Sequence, residues 1–597
     1  MEVTRTFDLL ERYKEKFLSK PDALAGKEKK GWVKFSTQEY IDNSNFISYG
    51  LLALDLKKGD KIATVSNNRP EWNFLDMGMA QIGVIHIPLF TTLEEENYEY
   101  VLNHSEFKLL FISDKAIWNK TGKLIGKGSL QNIYAFDDFP EAKNWKEILE
   151  SGKKNTDKKN EVEEIKKTIL PTDAATLIYT SGTTGNSKGV ILTHQNLMSN
   201  AISVSKVFNL QPNHKYLSIL PVCHVGERMG IYQTQYSGCS IYYSENIGTI
   251  ARDLADIKPE GFGTVPRILE KVYDKIMGKA EQLKGMKRTL FFWALNLGDK
   301  YKRDGKNGLW YEFQLWLANK IIFNKWRAAL GGNIQSIGVG GAALQPKLER
   351  IFWAANIKLL NMYGLTETSP AITINHLNSD EMKLGTVGCV LENVQLKLAD
   401  DGEILVKGPN VMKGYYKDET ATADAIDKDG WFHTGDIGIL EEGKFLRITD
   451  RKKELFKLSN GKYVSPQMIE NIFKDSVYID QLMVIGEGEK HTSAIISPNY
   501  EALKKWASEN KIDYKADEEL AANKDVYSHY QKIVNTFNKQ LSHDEHIKRF
   551  RIISEEWTPQ SGELSPTLKL KRRIIKEKYK FVIAEIFNHE EEITSGK

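Results

Sequence analysis

Cysteine is scarce in this chain, with only Cys223, Cys239 and Cys389 among 597 residues. Their spacing forms neither a metal-ligand set nor a disulfide framework, which excludes a disulfide-stapled scaffold and fits a reducing compartment. Long apolar runs are missing too. No stretch approaches the roughly 18 uninterrupted apolar residues that a membrane span needs. Met1 to Leu18 interleaves Glu2, Arg5, Asp8 and Glu11 with its apolar positions, unlike a secretory leader, so the expected location is the cytoplasm. Nor is one sign of charge in excess. With 82 basic and 79 acidic residues the net charge is +3, which gives no global field for a nucleic-acid partner.

What is present is an ordinary globular composition, 41% hydrophobic and 27% charged, in a chain too long for one core. From Lys61 the pattern predicts a strand (Ile62 to Val65), a helix (Pro70 to Ile82) and a strand (Val84 to Leu89). That alternation implies α/β layers with parallel strands. Related units recur at Ala175 to Tyr179 with Gln195 to Val204, and at Ile334 to Val339 with Gln345 to Ala355 and Ile357 to Leu360. Lys153 to Lys167 carries both charge signs and reads as a solvated connector. Beyond about residue 400 short strands and turns take over, and after Lys453 a smaller α+β domain is expected. Aromatics gather with Lys and Arg at Phe291, Phe292, Trp293, Trp310, Tyr311, Trp316 and Trp326. Core packing outweighs a membrane-facing surface as their reading.

The run from Tyr179 through Thr180, Ser181, Gly182, Thr183, Thr184 and Gly185 to Lys188 and Gly189 follows an apolar strand. Its glycines allow tight turns, its N–H and hydroxyl groups donate to phosphate oxygens, and Lys188 adds a mobile positive charge. It is not a Walker A loop, because Ser187 precedes the lysine and Gly189 follows it. Tyr363, Gly364, Thr366 and Glu367 lie at the end of another strand, where α/β sheets bind ligands. There Tyr363 can stack on a purine, Thr366 can donate to phosphate, and Glu367 can hold Mg2+. Asp436, beside a glycine turn at Thr434-Gly435-Asp436, suits two vicinal ribose hydroxyls. Two charged segments follow, Asp450 to Leu455 and Glu563 to Arg573, each compatible with an ordinary solvated surface.

Together these segments resemble the AMP-forming adenylating superfamily, which includes acyl-CoA synthetases, firefly-type luciferases and peptide-synthetase adenylation domains. The resemblance runs from about Lys61 to Arg573. It implies an α/β fold: a large N-terminal domain (1–449) of layered doubly wound sheets plus a small distorted β-barrel. A hinge (450–453) and a smaller mobile α+β C-terminal domain (454–597) would complete the chain. It further implies that ATP, Mg2+ and CoA take part, with Thr184 and Glu367 at the metal and Thr180 to Lys188 over the phosphates. By the same resemblance Gly341 and Ala342 lie against adenine and the acyl carboxylate, Arg451 and Lys462 join the nucleotide contacts, Lys453 is the hinge, and Lys569 is the catalytic lysine. Lys462 stands where the family has an arginine, and a lysine cannot clamp a phosphate bidentately.

Within the superfamily, Leu220 to His224 with Glu227-Arg228, Val265 to Lys271 and the Leu568 to Arg572 ending are most similar to long-chain fatty acyl-CoA synthetases. A fatty acid would then be the substrate, with peripheral contact at the inner face of a membrane left open. His224 either orients the carboxylate side of the acyl pocket or is a buried structural histidine. The tryptophan gate of some bacterial members has no counterpart at Glu227-Arg228. Two other readings stay open: an acyl- or aryl-adenylating ligase delivering to a carrier-protein phosphopantetheine, and a non-catalytic nucleotide- or lipid-binding scaffold.

Overall fold

The strand–helix–strand pattern that begins at Lys61 builds one of two large sheets. Lys61–Val65, Ile85–Leu89, Leu109–Ile112 and Asn132–Ala135 run parallel in it. The intervening helix Pro70–Gln81 starts with a proline, whose fixed φ suits the first turn, and only Glu71 among its residues escapes burial. The structure, a computed structural model, describes residues 2–29, 31–180, 187–565 and 569–588. A second sheet of nine strands has Ser240–Tyr243, Lys215–Ser218, Gly261–Thr264, Ser336–Val339 and Leu359–Gly364 parallel at its centre. Helix Val225–Ser237 ties the two sheets together. Its buried Arg228 donates to Thr176 Oγ1 (2.7 Å), Tyr232 (2.8 Å) and Asp76 Oδ1 (2.5 Å), and Asp76 also meets His86 Nδ1 at 2.7 Å. Burial alone would raise the Asp76 carboxyl, but Arg228 and His86 hold it well below the usual carboxylate range.

Three expectations change. Ala174–Thr180 is followed by Lys188–Thr193, which returns antiparallel with Thr180 opposite Lys188. A hairpin needs only a short loop, whereas a parallel return needs a crossover of a dozen residues. The charged stretch from Lys153 is helical, in Lys146–Lys154 and Lys159–Thr168. Opposite charges three residues apart, Lys158 with Glu161 and Lys166 with Glu163, support those helices, and Val162 is buried. Core packing explains only part of the aromatic cluster. Phe291 and Trp326 are buried, but Trp310 and Trp316 stand in solvent.

Gln395–Leu398, Glu403–Lys407, Phe432–Glu441 and Phe445–Arg451 form an antiparallel half-barrel beside the two sheets. After it, Ile479–Ile485, Ser493–Pro498 and Arg549–Ile552 form a small sheet packed by helices such as Pro466–Phe473 and Lys524–Asn538. This α+β part has its own core, around Leu482, Ile496, Tyr530 and Phe550.

Candidate active site

Strand Leu359–Gly364 runs into the short turn Thr366–Thr368, so Tyr363 and Glu367 reach the cleft at the carboxyl end of the nine-stranded sheet. The half-barrel supplies the facing wall. Thr434-Gly435-Asp436 is not a simple turn but a kink inside strand Phe432–Glu441, where Gly435 takes φ +69°. The kink lets the Gly435 N–H donate to Glu403 Oε1 (3.0 Å), while Asp436 stays buried. Tyr363 OH donates to Asp436 Oδ2 (2.7 Å) and Arg451 Nε to Oδ1 (2.9 Å), fixing the carboxylate on both oxygens. Each oxygen keeps a further lone pair for a ligand hydroxyl. Burial, reinforced by the Asp436 charge, pushes the Tyr363 phenol up, so it remains a donor.

Glu367 and Lys188 meet through a residue that carries no motif. The edge strand Gly414–Tyr415 pairs with Lys188–Thr193, and Tyr415 OH donates to Glu367 Oε1 at 2.9 Å. The Lys188 ammonium lies 4.7 Å from the centre of the Tyr415 ring, a cation–π contact that holds it near Glu367. No group of three His, Cys, Asp or Glu side chains gathers as a metal cage among the described residues. Mg2+ needs no such cage, since it is commonly held by one or two carboxylates together with phosphate oxygens and water. Glu367 fits that donor set. Thr180 and Lys188 line the cleft; Ser181, Gly182, Thr183, Thr184 and Gly185 lie outside the described residues.

Lys569 reaches the same cleft from the C-terminal part. A tight pairing with Ser565 fixes its backbone: the Ser565 N–H donates to Lys569 O (2.8 Å) and the Lys569 N–H to Ser565 Oγ (3.0 Å). Its side chain is open to cleft solvent, yet the enclosing protein strips enough hydration to lower its pKa to about 8. Arg451 pushes in the same direction; Asp436, Glu454 and Glu367 oppose it. Half-buried His224 also lines the cleft and is lowered to about 4, by burial first and then by the Lys569 charge. It caps helix Val225–Ser237 by accepting from the Gly226 N–H at Nδ1 (3.0 Å), so the neutral ring carries its proton on Nε2. Glu367, Asp436, Arg451, His224 and Lys569 thus share one cleft with Thr366, Gly364, Gly341 and Ala342. Lys462 does not join them. It sits on the exposed turn between Phe456–Lys457 and Tyr463–Val464, outside the cleft lining.

Residues 13–416 match the model of the AMP-binding enzyme family, and 453–591 that of the AMP-binding enzyme C-terminal domain. The chain belongs to the AMP-binding enzyme family. It is 32% identical to a long-chain-fatty-acid–CoA ligase of Mycobacterium bovis, over 94% of this chain and 93% of that one. It is 30% identical to fatty acyl-CoA synthetase A of Dictyostelium discoideum, over 98% and 91%. The adenylation domain of a Mycobacterium chelonae carboxylate reductase shares its fold, with a TM-score of 0.75 at 21% identity, covering 98% of this chain and 91% of that chain.

In this AMP-binding enzyme the C-terminal part is fastened against the cleft by Arg267 paired with Asp480 and by Lys505 paired with Glu281. Arg572 forms a two-pronged bond to Glu470 (2.7 Å each) and reaches Glu454 at 3.0 Å. Val204, Phe208, Ile268, Leu330 and Met362 are among the apolar side chains that line the cleft. Glu227 also lines the cleft and is buried, with Ser218, the Leu220 backbone and Tyr216 beside its carboxyl. Burial pushes it to about 8, only partly offset by the neighbouring Ser218 and Tyr216 hydroxyls, so at neutral pH it is a protonated acid. Because this folded-state pKa lies above the unfolded value, its contribution to stability is intact below about pH 4.5 and is lost as pH rises toward 8. Glu227→Gln should therefore gain Tm relative to the parent enzyme as pH increases from 5 to 8. Thermal melts across that range check it; parallel curves would place the Glu227 pKa elsewhere.

Proposed function

We propose that this AMP-binding enzyme is a long-chain fatty acid–CoA ligase, which joins a fatty acid to ATP as an acyl-adenylate and passes the acyl group to the CoA thiol. The observation that carries this reading is the meeting of Lys569, Asp436, Glu367 and His224 in one cleft that apolar side chains also line. Relatives of nearly the same length, named as a long-chain-fatty-acid–CoA ligase and a fatty acyl-CoA synthetase, support the choice of acid and acceptor.

The first step brings an ionised carboxylate to the α-phosphate of an anionic nucleotide, so the site must offset charge. Tyr363 and Asp436 would seat the adenosine, with Asp436 accepting from the ribose hydroxyls. Thr366, Lys188 and the loop from Thr180 would donate to phosphate oxygens. Mg2+ held at Glu367 would supply further charge neutralisation. Neutral His224, with its Nε2–H, would donate to the acyl carboxylate without adding a charge. Lys569 would stabilise the negative charge that builds between the α-phosphate and the departing pyrophosphate. The substrate's own oxygen attacks, so no protein nucleophile is needed, and positioning supplies much of the rate.

The adenylate is a mixed anhydride that water would destroy, so the site has to stay covered until the thiol arrives. In our reading the C-terminal part rotates about Lys453 after the first step, withdrawing Lys569 and breaking the Arg267–Asp480 and Lys505–Glu281 pairs. Pyrophosphate release measured over acids from acetate to long fatty acids, with CoA consumption followed in parallel, tests the whole proposal. Long fatty acids should give both signals. Pyrophosphate release without CoA consumption would point to a carrier-protein acceptor, and no acid-dependent release at all would leave a non-catalytic scaffold.

A further inference from the structure

The helix Leu309–Ala318 is packed on one side only. Its inner side is settled: Tyr311 OH donates to Leu297 O (2.5 Å), Gln314 accepts from Trp293 Nε1 (3.3 Å), and Leu315 and Ala318 are buried. The outer side presents Leu309, Trp310, Phe313 and Trp316, which are 90%, 72%, 53% and 52% exposed. The three rings form a ladder. Trp310 stacks on Phe313 (5.7 Å between centroids, 21° between planes), and Phe313 on Trp316 (6.0 Å, 24°). Ile321, in the segment that follows, is also exposed, and Lys320 extends its ammonium over the Trp316 ring at 4.1 Å. An isolated exposed aromatic is ordinary on a soluble surface; a contiguous ladder of them marks an interaction site.

The charge around the ladder indicates the partner. Residues 284–327 contain ten basic and three acidic side chains, a net +7 on a chain whose total is +3. Lys300, Lys302, Lys306, Lys320 and Lys325 are all exposed. Lys320 thus joins the rings directly, and the exposed lysines of the flanking segments add further long cationic side chains, the composition of a segment lying in a lipid headgroup layer. No helix among the described residues is long and apolar enough to cross a membrane, so any such contact is a surface one. Beyond the ladder, Trp326 and Ala329 on helix Asn324–Ala329 line the cleft.

We propose that the Leu309–Ile321 face docks on an anionic lipid surface, with the Trp310–Phe313–Trp316 ladder seated among the headgroups and the surrounding lysines paired with lipid phosphates. Docking would place the side of the cleft lined by Trp326 and Ala329 close to the layer in which a poorly soluble acid dissolves. Only this benefit rests on the fatty-acid reading above; lipid binding itself is measured without substrate.

Flotation with phosphatidylcholine vesicles, with and without phosphatidylglycerol, is the test. The full chain should float with the phosphatidylglycerol vesicles, less so at raised salt and weakly with phosphatidylcholine alone. Trp310→Ser/Phe313→Ser/Trp316→Ser should weaken that binding by about tenfold or more, since the buried ring area drives insertion. Turnover of a water-soluble short acid should be unchanged in that variant, which confirms its fold. Lys320→Glu/Lys325→Glu should abolish the preference for phosphatidylglycerol. No flotation of the parent chain, or equal flotation of the ring variant, would overturn the proposal. So would self-association of the parent chain that the ring variant loses, because the face would then be covered by a second copy. Flotation by a chain that activates no acid would leave docking standing and remove the fatty-acid reading.

Discussion

Lys569→Ala should lose acyl-adenylate formation by about two to three orders of magnitude, the usual consequence of deleting a preorganised charge aimed at a developing anion. Thioester formation from supplied acyl-adenylate should survive. Pyrophosphate release reports the first half-reaction and CoA consumption the second, so the two losses separate in one preparation. Equal loss of both would mean that the lysine supports the fold or the acyl pocket instead. The lowered pKa adds a sharper mark. If the cation is the active form, kcat/KM for adenylation should fall as pH rises through about 8, because the free enzyme's lysine deprotonates there. Bound ATP brings negative charge, so the same limb in kcat should lie at higher pH. Lys569→Arg stays protonated throughout and should flatten the limb at some cost in rate.

Asp436→Ala should raise the Kd for ATP about thirtyfold, or about 2 kcal/mol, a figure that allows for the partial exposure of Arg451. The carboxylate does more than its proposed task of receiving ribose hydroxyls. Its loss leaves the Tyr363 hydroxyl and the Arg451 guanidinium without the acceptor that orients them. It also removes a negative charge that supports protonation of Lys569. The alkaline limb of adenylation should therefore move to lower pH in Asp436→Ala. A residue that merely shaped the pocket would change ATP affinity and leave the limb in place.

Much of the site was legible in the sequence, for reasons that differ by residue. Tyr363, Glu367 and Asp436 stand in short segments whose residue types already state a chemistry, and the structure brings them to one cleft. Lys569 was recognisable only by resemblance, since a basic segment after Pro566 has no chemistry of its own. Tyr415 and Glu403 could not be found from sequence. Tyr415 reaches Glu367 only because an edge strand pairs with Lys188–Thr193, and Glu403 meets Gly435 and Lys452 only because its strand lies beside the kinked one. Glu227 and Arg228 were noticed as a pair, but about 100° of helix rotation separates neighbours. One lines the cleft, and the other is buried against Asp76. The aromatic segment from Phe291 to Trp326 misled for a related reason: residue type says that rings prefer to be covered, not what covers them.

The floor of the proposed nucleotide site continues directly into the proposed hinge. Arg451 is bound to Asp436, Lys452 is bound to Glu403 (2.8 Å) and Asp401 (2.6 Å), and its N–H donates to Gly435 O (2.8 Å). Lys453 follows, exposed, and Glu454 is already held by Arg572 of the C-terminal part. One leaf of the joint is thus bolted to the wall proposed to seat the nucleotide and the other to the part proposed to swing, with a single residue as the pin. Such a joint has little slack, so a ligand that stiffens Asp436 and Arg451 would also set the angle from which the proposed swing begins.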